Sequence, residues 1–124
     1  MLSAIWNGKS SLVGWFDRRN GVVYDPSMAR RAIVQRDALF AYSGQHLGYF
    51  RDGWFRDRWG YAVAYIDGAK DGPIAPVHPV APIPPIPPVP PVAPIMPIPP
   101  VMPVPSLSWS RQSFDQLLRG VVPA

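Results

Sequence analysis

One short pattern occurs four times between Ile5 and Ala69, and it constrains the fold more than any other feature of the chain. In each copy Gly or Ala is followed by Trp, Ile or Tyr, then by Phe, Val or Ile, and then by a polar residue. The copies are spaced by 18, 16 and 16 residues, as their small residues show: Gly14, Ala32, Gly48 and Ala64. Such a short, regular repeat indicates one supersecondary unit used four times around a shared core.

Each copy predicts two short strands joined by a turn. In the first copy an apolar run ends at Trp6, Asn7-Gly8 follows, and a second apolar run begins at Leu12. Asn-Gly between apolar runs is a strong hairpin signal, because both residues tolerate a positive φ. The second copy departs most from the pattern, since Arg30 and Arg31 stand where apolar residues are expected. Short strands repeated about every eight residues predict an all-β fold with a closed or nearly closed sheet.

The pattern also predicts which way its side chains point, because successive residues of a strand face opposite sides of the sheet. The last apolar position has no polar atom in any copy, so it is assigned to the core: Phe16, Val34, Phe50 and Ile66. The small residues share that face, and we expect crowding near the barrel axis to exclude larger side chains there. The position between them faces outward, as suits a half-covered surface, and it is occupied by Trp15, Ile33, Tyr49 and Tyr65.

Proline divides the chain of 124 residues into three parts. Sixteen of the 18 prolines lie between Pro73 and Pro105, so residues 1–72 are the only candidate for a globular core. We expect a barrel over 1–72, a proline tract over 73–105 and a C-terminal segment over 106–124. A core of about 70 residues is marginal for a domain on its own. It is therefore expected to need the C-terminal segment, or a partner subunit, as cover.

Composition excludes several classes of protein. The chain has no cysteine, which excludes disulfides and thiolate sites. It shows no signal peptide and no run of about 20 apolar residues suited to a membrane helix, so we expect a cytoplasmic location. The net charge is +4, and within residues 1–72 the basic side chains alternate with Asp. This is a mildly basic solvated surface, and no nucleic-acid partner is expected.

The proline tract has a strict period of three residues. From Pro73 to Pro103 every third residue is proline, and each of these prolines is followed by Ile or Val. Polyproline II has three residues per turn, so it would arrange the tract in three straight rows of side chains, one of them all Ile and Val. This last set is the Ile/Val row. A straight tract would reach roughly 100 Å, whereas a compact protein of this size has a radius of gyration of about 14 Å, so the tract must project, double back or wrap.

The tract admits two interpretations. It is a semi-rigid spacer, or it docks into an aromatic-lined groove, as proline-rich segments do. A spacer needs no continuous apolar row, and an exposed row invites association. The candidate groove residues are Trp15, Tyr49, Trp54, Trp59 and Tyr65. The docking partner is this chain's own barrel, a second copy or another protein, and in a compact particle we expect the Ile/Val row to be buried on the aromatic surface.

The C-terminal segment predicts one short helix over about 114–119. Ser113 is a good N-cap, and Gln116 three residues later completes a capping box. Asp115 in the first turn and Arg119 in the last complement the helix dipole, and Gly120 ends the helix. So short a helix does not stand alone in water. We expect it to dock on the barrel or a neighbouring subunit, or else to act as a recognition motif, through apolar residues: Trp109, Phe114, Leu117 and Leu118.

Several stretches together resemble one bacterial family. They are the four copies, the run Gly44-Gln45-His46-Leu47-Gly48-Tyr49-Phe50 followed by Gly53-Trp54-Phe55-Arg56-Asp57, the Gly72-Pro73 junction, the period-three tract, and the ending Ser106-Leu107-Ser108-Trp109-Ser110 with Ser113-Phe114. This combination is similar to the 4-fold β-flower proteins over nearly the whole chain. The resemblance implies a shallow closed barrel of four β-hairpins with apolar residues inside, and it carries over no catalytic residue. Relatives typically place Lys or Arg at every third tract position, where this chain has apolar residues or His78.

No motif indicates an enzyme. The sequence has no Ser/His/Asp order, Gly-rich phosphate loop or metal-ligand spacing, so no catalytic residue, metal or cofactor is predicted. The chain is interpreted as a non-enzymatic structural or protein-interaction module, which associates with itself or a protein partner through its aromatic surface, including Trp109 and Phe114, and its apolar arm. The alternative is binding of a small ligand, lipid or membrane surface at the barrel mouth. Turn arginines would ring one rim in that case, although solvated turns explain them as well: Arg18, Arg19, Arg36, Arg51 and Arg58.

Overall fold

The computed structural model describes residues 2–84, 86 and 94–121. In these residues eight antiparallel strands form one closed barrel, in which each strand pairs with the next and the last pairs with the first. The strands are β1 (Leu2–Trp6), β2 (Leu12–Asp17), β3 (Val22–Tyr24), β4 (Arg30–Gln35), β5 (Ala38–Ala41), β6 (His46–Arg51), β7 (Trp54–Arg56) and β8 (Ala62–Tyr65), and the helix that follows is α1 (Phe114–Leu118). The predicted all-β fold, a closed barrel of four hairpins with a short C-terminal helix, is confirmed.

The hairpin turns within the four repeats share one backbone conformation. In the first repeat the N–H of Asn7 donates to the carbonyl oxygen of Ser11 at 3.0 Å. The fourth loop residue has a positive φ in every copy: Ser10, Met28, Gly44 and Gly60. The hairpin predicted at Asn7-Gly8 is therefore present, but its left-handed residue is Ser10, because the loop is longer than a two-residue turn. Asn7 acts instead through its side chain, whose Oδ1 accepts from the N–H groups of Lys9 at 2.9 Å and Ser11 at 3.0 Å.

The connections between repeats explain the unequal spacing of the copies. Arg36 and Asp37 join β4 to β5, and Asp52 and Gly53 join β6 to β7, as two-residue turns in which both residues have a positive φ. This conformation matches the right-handed twist of the flanking strands. Residues 18–21 join β2 to β3 and form a connection two residues longer. The first spacing is therefore 18 residues, whereas the later two are 16.

The barrel interior is built from the positions that the repeat predicts. The main core cluster contains the buried side chains of Phe16 and Ile66, and the half-buried Val34 and Phe50 pack against it. Ala32 and Ala64 belong to the same cluster. The last apolar position and the small position therefore share the inner face, as expected.

The reason for the small residues differs from the expected one. A Cβ on Gly14 would lie 2.4 Å from the carbonyl oxygen of Tyr24, and a Cβ on Gly48 would lie 2.1 Å from that of Arg56. Both oxygens belong to the next strand along the chain, β3 or β7. Glycine is required in these two repeats because neighbouring backbones approach each other closely. The predicted cause, crowding at the barrel axis, is wrong for these positions.

One β-bulge occurs in each hairpin, at equivalent places in the four repeats. The extra residue is the one that precedes the small residue: Val13, Arg31, Leu47 or Val63. A bulge redirects the side chain of the strand that carries it. Leu47 and Val63 belong to the same core cluster as Phe114, Leu117 and Leu118 of the helix, which contacts β6 and β8. Helix α1 thus closes the barrel end where the hairpin turns lie, and the expected cover by the C-terminal segment is confirmed.

Helix α1 also explains the polar exception in the second repeat. The guanidinium of Arg31 lies 3.4 Å from the carboxylate of Asp25 and 3.3 Å from that of Asp115 in the helix. The capping box of Ser113 is present as predicted. Arg119, however, is the C-cap and not a residue of the last turn, and its Nε lies 2.9 Å from Asp115. Its predicted place in the helix is therefore wrong by one residue.

Candidate interaction surface

Apolar side chains are also buried in clusters on the outer face of the barrel. They include Trp15, Val22 and Tyr24; Ile33, Phe40 and Tyr49; and Trp6, Trp54, Ala62 and Tyr65. Each cluster contains a residue from the outward position of the repeat, so the predicted direction of that position is confirmed. Described residues of the proline tract lie over two of these clusters, the second and the third.

The first run of the proline tract, residues 73–84, covers the cluster where β8 meets β1. The imidazole of His78 stacks on the indole of Trp6, with ring centroids 4.2 Å apart and planes 13° apart. The hydroxyl of Tyr65 donates to the carbonyl oxygen of Pro76 at 2.9 Å, and that of Ser10 donates to Val77 at 2.7 Å. β1 and β8 share the register pair Trp6–Tyr65. The tract therefore bridges the seam of the barrel.

The second run of the tract, residues 94–105, covers the cluster on β4, β5 and β6. Met96 is 3% exposed and belongs to that cluster, against which Met102 also packs. The amide of Gln35 holds the backbone on both sides of this contact, because Nε2 donates to Pro94 at 2.8 Å and Oε1 accepts from the N–H of Met96 at 3.1 Å. Arg36 donates to the carbonyl oxygens of Met96 at 2.6 Å and Pro97 at 2.9 Å.

Arg56 links the two ends of the tract. Its side chain is 1% exposed. One guanidinium nitrogen donates to the carbonyl oxygens of Gly60 and Ser106, both at 2.7 Å, and the other donates to that of Asp71 at 3.2 Å. Asp71 precedes the tract and Ser106 follows it. A single buried cation therefore holds the points where the tract leaves the barrel and returns to it.

Asp57, the neighbour of Arg56, fixes the segment that follows the tract. It is 2% exposed. Its Oδ1 accepts from the N–H groups of Trp59 and Tyr61, both at 3.0 Å, and its Oδ2 accepts from the hydroxyl of Ser110 at 2.7 Å. The same carboxylate thus shapes the last hairpin turn and binds the C-terminal segment to it.

The contacts of the tract follow the order of the strands. Its first run meets β8 and β1, its second run meets β4 to β6, and Ser106 then donates its N–H to Gly60 in the turn between β7 and β8. These two runs lie against the barrel, which contradicts a tract that projects as a spacer. Residues 85 and 87–93 lie outside the described residues. The polyproline II conformation of the tract stays a prediction.

The Ile/Val row faces solvent wherever the structure describes it. Its exposed fraction ranges from 87% at Ile98 and Val104 to 96% at Ile95. The side chains that face the barrel are His78, Met96 and Met102, which all belong to another of the three rows. The expectation that a packed tract buries the Ile/Val row is therefore wrong. If the tract has the predicted polyproline II geometry, its three rows point in different directions, and contact through one of them turns the Ile/Val row outward.

The aromatic residues predicted to form an interaction surface are mostly covered by the chain itself. Five of them are buried: Trp15, Tyr49, Trp54, Tyr65 and Phe114. Trp109 is half-buried and meets Trp54 edge-on at a centroid distance of 5.4 Å. Trp59 is 49% exposed. Of the three docking partners considered, the barrel of the same chain is the one that the described contacts support.

Sequence reasoning missed several residues that hold the tract. Trp6 and Arg56 gave no distinct signal, because one resembles any strand tryptophan and the other a solvated turn arginine. His78, Met96 and Met102 did carry a signal: the remaining members of their row are Ala or Pro. These three larger side chains in a row of small residues and prolines mark the positions at which the tract contacts another surface.

The turn arginines predicted to ring one rim are divided between the two ends of the barrel. Three lie in connections between repeats, namely Arg18, Arg19 and Arg36, and Arg51 is the last residue of β6 at the same end. Arg58 lies in the hairpin turn between β7 and β8, at the opposite end, so its predicted place on the same rim is wrong. Arg51 lies 3.6 Å from Asp37 in a solvent-exposed ion pair, which contributes little stability.

His78 holds the first run through both of its ring nitrogens. Nε2 lies 2.6 Å from Oδ1 of Asp67, and Nδ1 lies 2.7 Å from the carbonyl oxygen of Pro79. Both neighbours are acceptors, so the doubly protonated imidazolium is favoured. The hydrogen bond to Pro79 is the largest cause that raises the pKa of His78; burial opposes it and Asp67 adds to it.

We expect a rise from about pH 6 to about pH 9 to weaken this attachment. A group whose pKa is raised by folding stabilises the fold fully below its unfolded pKa of about 6.5, and the contribution is lost as the pH rises through the folded value. Losing one such hydrogen bond costs about 1 kcal/mol, which lowers Tm by about 4 °C in a domain of this size. Thermal unfolding followed by tryptophan emission at the two pH values measures the change.

The matched control for this prediction is His78→Gln. Glutamine keeps a hydrogen-bond donor but does not titrate, so the difference in Tm between the two pH values should shrink. Burial lowers the pKa of His46, but that residue is present in both proteins and its effect cancels. An unchanged pH dependence in the variant would show that His78 is not the titrating group.

Two kinds of feature are absent from the part of the chain that the structure describes. It contains no helix of the length and apolarity needed to cross a bilayer. It also contains no cluster of three or more His, Asp or Glu side chains suited to a metal ion.

Comparison with known proteins identifies the family. The model of the 4-fold beta flower protein family matches residues 3–118. No curated protein and no solved structure matches the chain. The family match covers the eight strands, the tract and helix α1, which together form the geometry described above. The chain therefore belongs to the 4-fold beta flower family.

Proposed function

We propose that this chain is a non-enzymatic interaction module of the cytoplasm, which associates through the Ile/Val row of its proline tract. The observation that carries the proposal is the exposure of this row, at 87–96% for its described members. Burying one Val or Ile side chain stabilises an association by about 1.5–3 kcal/mol. Soluble monomers rarely expose contiguous apolar patches unless they bind something there.

The way the tract is attached also supports this proposal. Met96 is buried, His78 is stacked on Trp6, and Arg56 holds both ends. The backbone is thereby ordered before any partner arrives. Because ordering costs are then small at the moment of binding, a given apolar area contributes more to affinity. The aromatic face of the barrel holds the tract, and the tract presents the binding surface.

A second copy of the chain is the partner that this surface fits best. The row repeats every three residues and contains no charged side chain. Two such rows therefore match in spacing and do not repel each other. A protein partner with an aliphatic or aromatic groove would use the same row, and substitutions in the row would weaken both kinds of association.

We expect the triple substitution Ile95→Ser, Ile98→Ser and Val101→Ser to weaken self-association at least tenfold, because about 1.4 kcal/mol suffices for that change. All three side chains are exposed, so the fold should keep its Tm. Sedimentation equilibrium over a range of concentrations measures the dissociation constant of the wild type and the variant.

Leu107→Ser is the matched control, since Leu107 is an aliphatic residue of the C-terminal segment that is 70% exposed outside the row. It should leave self-association unchanged. Equal dissociation constants for the wild type and the triple variant would contradict the proposed role of the row.

A further inference from the structure

The barrel end opposite helix α1 is an open mouth. A pocket of about 400 Å³ lies there, between the connections that join the repeats. Its floor is formed by core side chains near the ends of β2, β4 and β6: Phe16, Val34 and Phe50. The rings of Phe16 and Phe50 lie 4.9 Å apart. The floor is thus apolar and partly aromatic, and it is continuous with the barrel core.

The lip of this mouth is basic. Arg18, Arg19 and Arg36 line it, together with one carboxylate, Asp37. Within the described part of the chain, the side chains of Arg18 and Arg19 make no hydrogen bond or ion pair, and Asp37 faces Arg51 at 3.6 Å. Unpaired guanidinium groups are therefore available at the edge of an apolar floor.

Asp17 at the base of the same loop does not neutralise these arginines. Asp17 is 9% exposed, and its carboxylate accepts from the N–H groups of Arg19 at 3.1 Å and Asn20 at 3.3 Å, and from Nδ2 of Asn20 at 2.8 Å. This carboxylate thus shapes the loop from inside. Arg36 is held in place by its bonds to Met96 and Pro97, which keep its guanidinium at the lip.

A pocket at the other end of the barrel differs in its charge. It measures about 590 Å³ and lies beside helix α1, lined by Lys9, Arg31, Arg111, Asp25 and Asp115 among others. Arg31 already pairs with both of these carboxylates. The two carboxylates offset part of the positive charge of that pocket, whereas the mouth has three arginines and one carboxylate, so an anionic ligand is favoured more clearly at the mouth.

We propose that the mouth binds a small amphiphilic anion, a phosphate or carboxylate that carries an aryl or short alkyl group. The anionic group lies between Arg18, Arg19 and Arg36, since guanidinium forks bind phosphate and carboxylate oxygens in pairs. The apolar group enters against Phe16, Val34 and Phe50. A pocket of this volume is within the range that holds small ligands. Free anions and lipid headgroups share this chemistry.

Phenyl phosphate is the probe that combines both parts. We expect it to shift the amide resonances of residues 18–21 and 36–37 in a two-dimensional NMR titration. It should bind at least about tenfold more tightly than inorganic phosphate or benzyl alcohol, because each of these lacks one part and about 1.4 kcal/mol gives that ratio. Binding should weaken with added salt, since the arginines are exposed.

Arg18→Gln with Arg19→Gln should weaken phenyl phosphate binding about tenfold or more, because charge-assisted hydrogen bonds are lost. Both side chains are exposed, so Tm should not change. The matched control is Lys9→Gln with Arg111→Gln, which removes the same charge beside the other pocket and should leave binding unchanged. Equal weakening in the two double variants would overturn the proposal, because it would show an effect of net charge alone.

Vesicles that contain phosphatidic acid distinguish the two sources of the ligand. Flotation of the wild type that is lost in the Arg18/Arg19 variant would support the mouth with a lipid headgroup as its ligand. Phenyl phosphate binding without flotation would support a free anion. Absence of both, with the fold intact by NMR, would overturn the proposal and would leave association through the Ile/Val row unaffected.

Discussion

Replacing Arg56 by Met should destabilise the protein by about 3–5 kcal/mol, the largest effect we expect from one substitution. Arg56 is buried and donates three hydrogen bonds to carbonyl oxygens, one in the last hairpin turn and one on each side of the tract. Methionine fills much of the volume but leaves the oxygens of Ser106 and Asp71 without this donor. Urea unfolding followed by circular dichroism measures the loss.

Arg56→Met should also release the tract, because its two ends share this one cation. Tryptophan emission should then shift to longer wavelength, because the indole of Trp6 loses the imidazole of His78 that stacks on it. Arg58→Met is the control, since Arg58 is the nearby arginine of the same hairpin and is more exposed. If the two variants unfold at the same urea concentration, Arg56 does not hold the tract.

Gly48→Ala should cost about 3 kcal/mol and lower Tm by roughly 10 °C. The added Cβ would lie 2.1 Å from the carbonyl oxygen of Arg56. Two paired backbone segments, β6 and β7, would have to separate, and neither is the flexible end of a side chain. The displacement would also disturb Arg56 itself. Thermal unfolding by differential scanning calorimetry measures the change.

The reverse substitution in an equivalent repeat is the control. Ala32→Gly should cost only about 1 kcal/mol, through added backbone freedom in the unfolded chain and loss of a methyl contact. If Gly48→Ala leaves Tm unchanged, the backbones of β6 and β7 can move apart at little cost.

Much of the barrel follows from local sequence. Alternation of apolar and polar residues, a turn signal after each run and the regular return of the small residue predict the eight strands and their faces. The two extra residues at 18–21 account for the longer first spacing. These features are encoded within one repeat, and strand alternation does not depend on distant parts of the chain.

The prediction that all five turn arginines lie on one rim is wrong for Arg58. Hairpin turns and connections between repeats alternate between the two ends of any such barrel, so Arg58 belongs to a different end from Arg18. The strand order alone contains this information. The strand order does not contain the reason why glycine is required at position 48. The approach of Gly48 to the oxygen of Arg56 depends on how far the bulged strands twist.

Local sequence encodes the repeat, the outward aromatic position, the capped helix and the three-residue period of the tract. Which row of the tract meets the barrel depends on long-range contacts between the tract and the strands. A three-fold period generates three equivalent rows, and an apolar row is compatible with either burial or exposure. The contacts of His78 and Met96 place the Ile/Val row outside, because a rod held on one side must present its other sides to solvent.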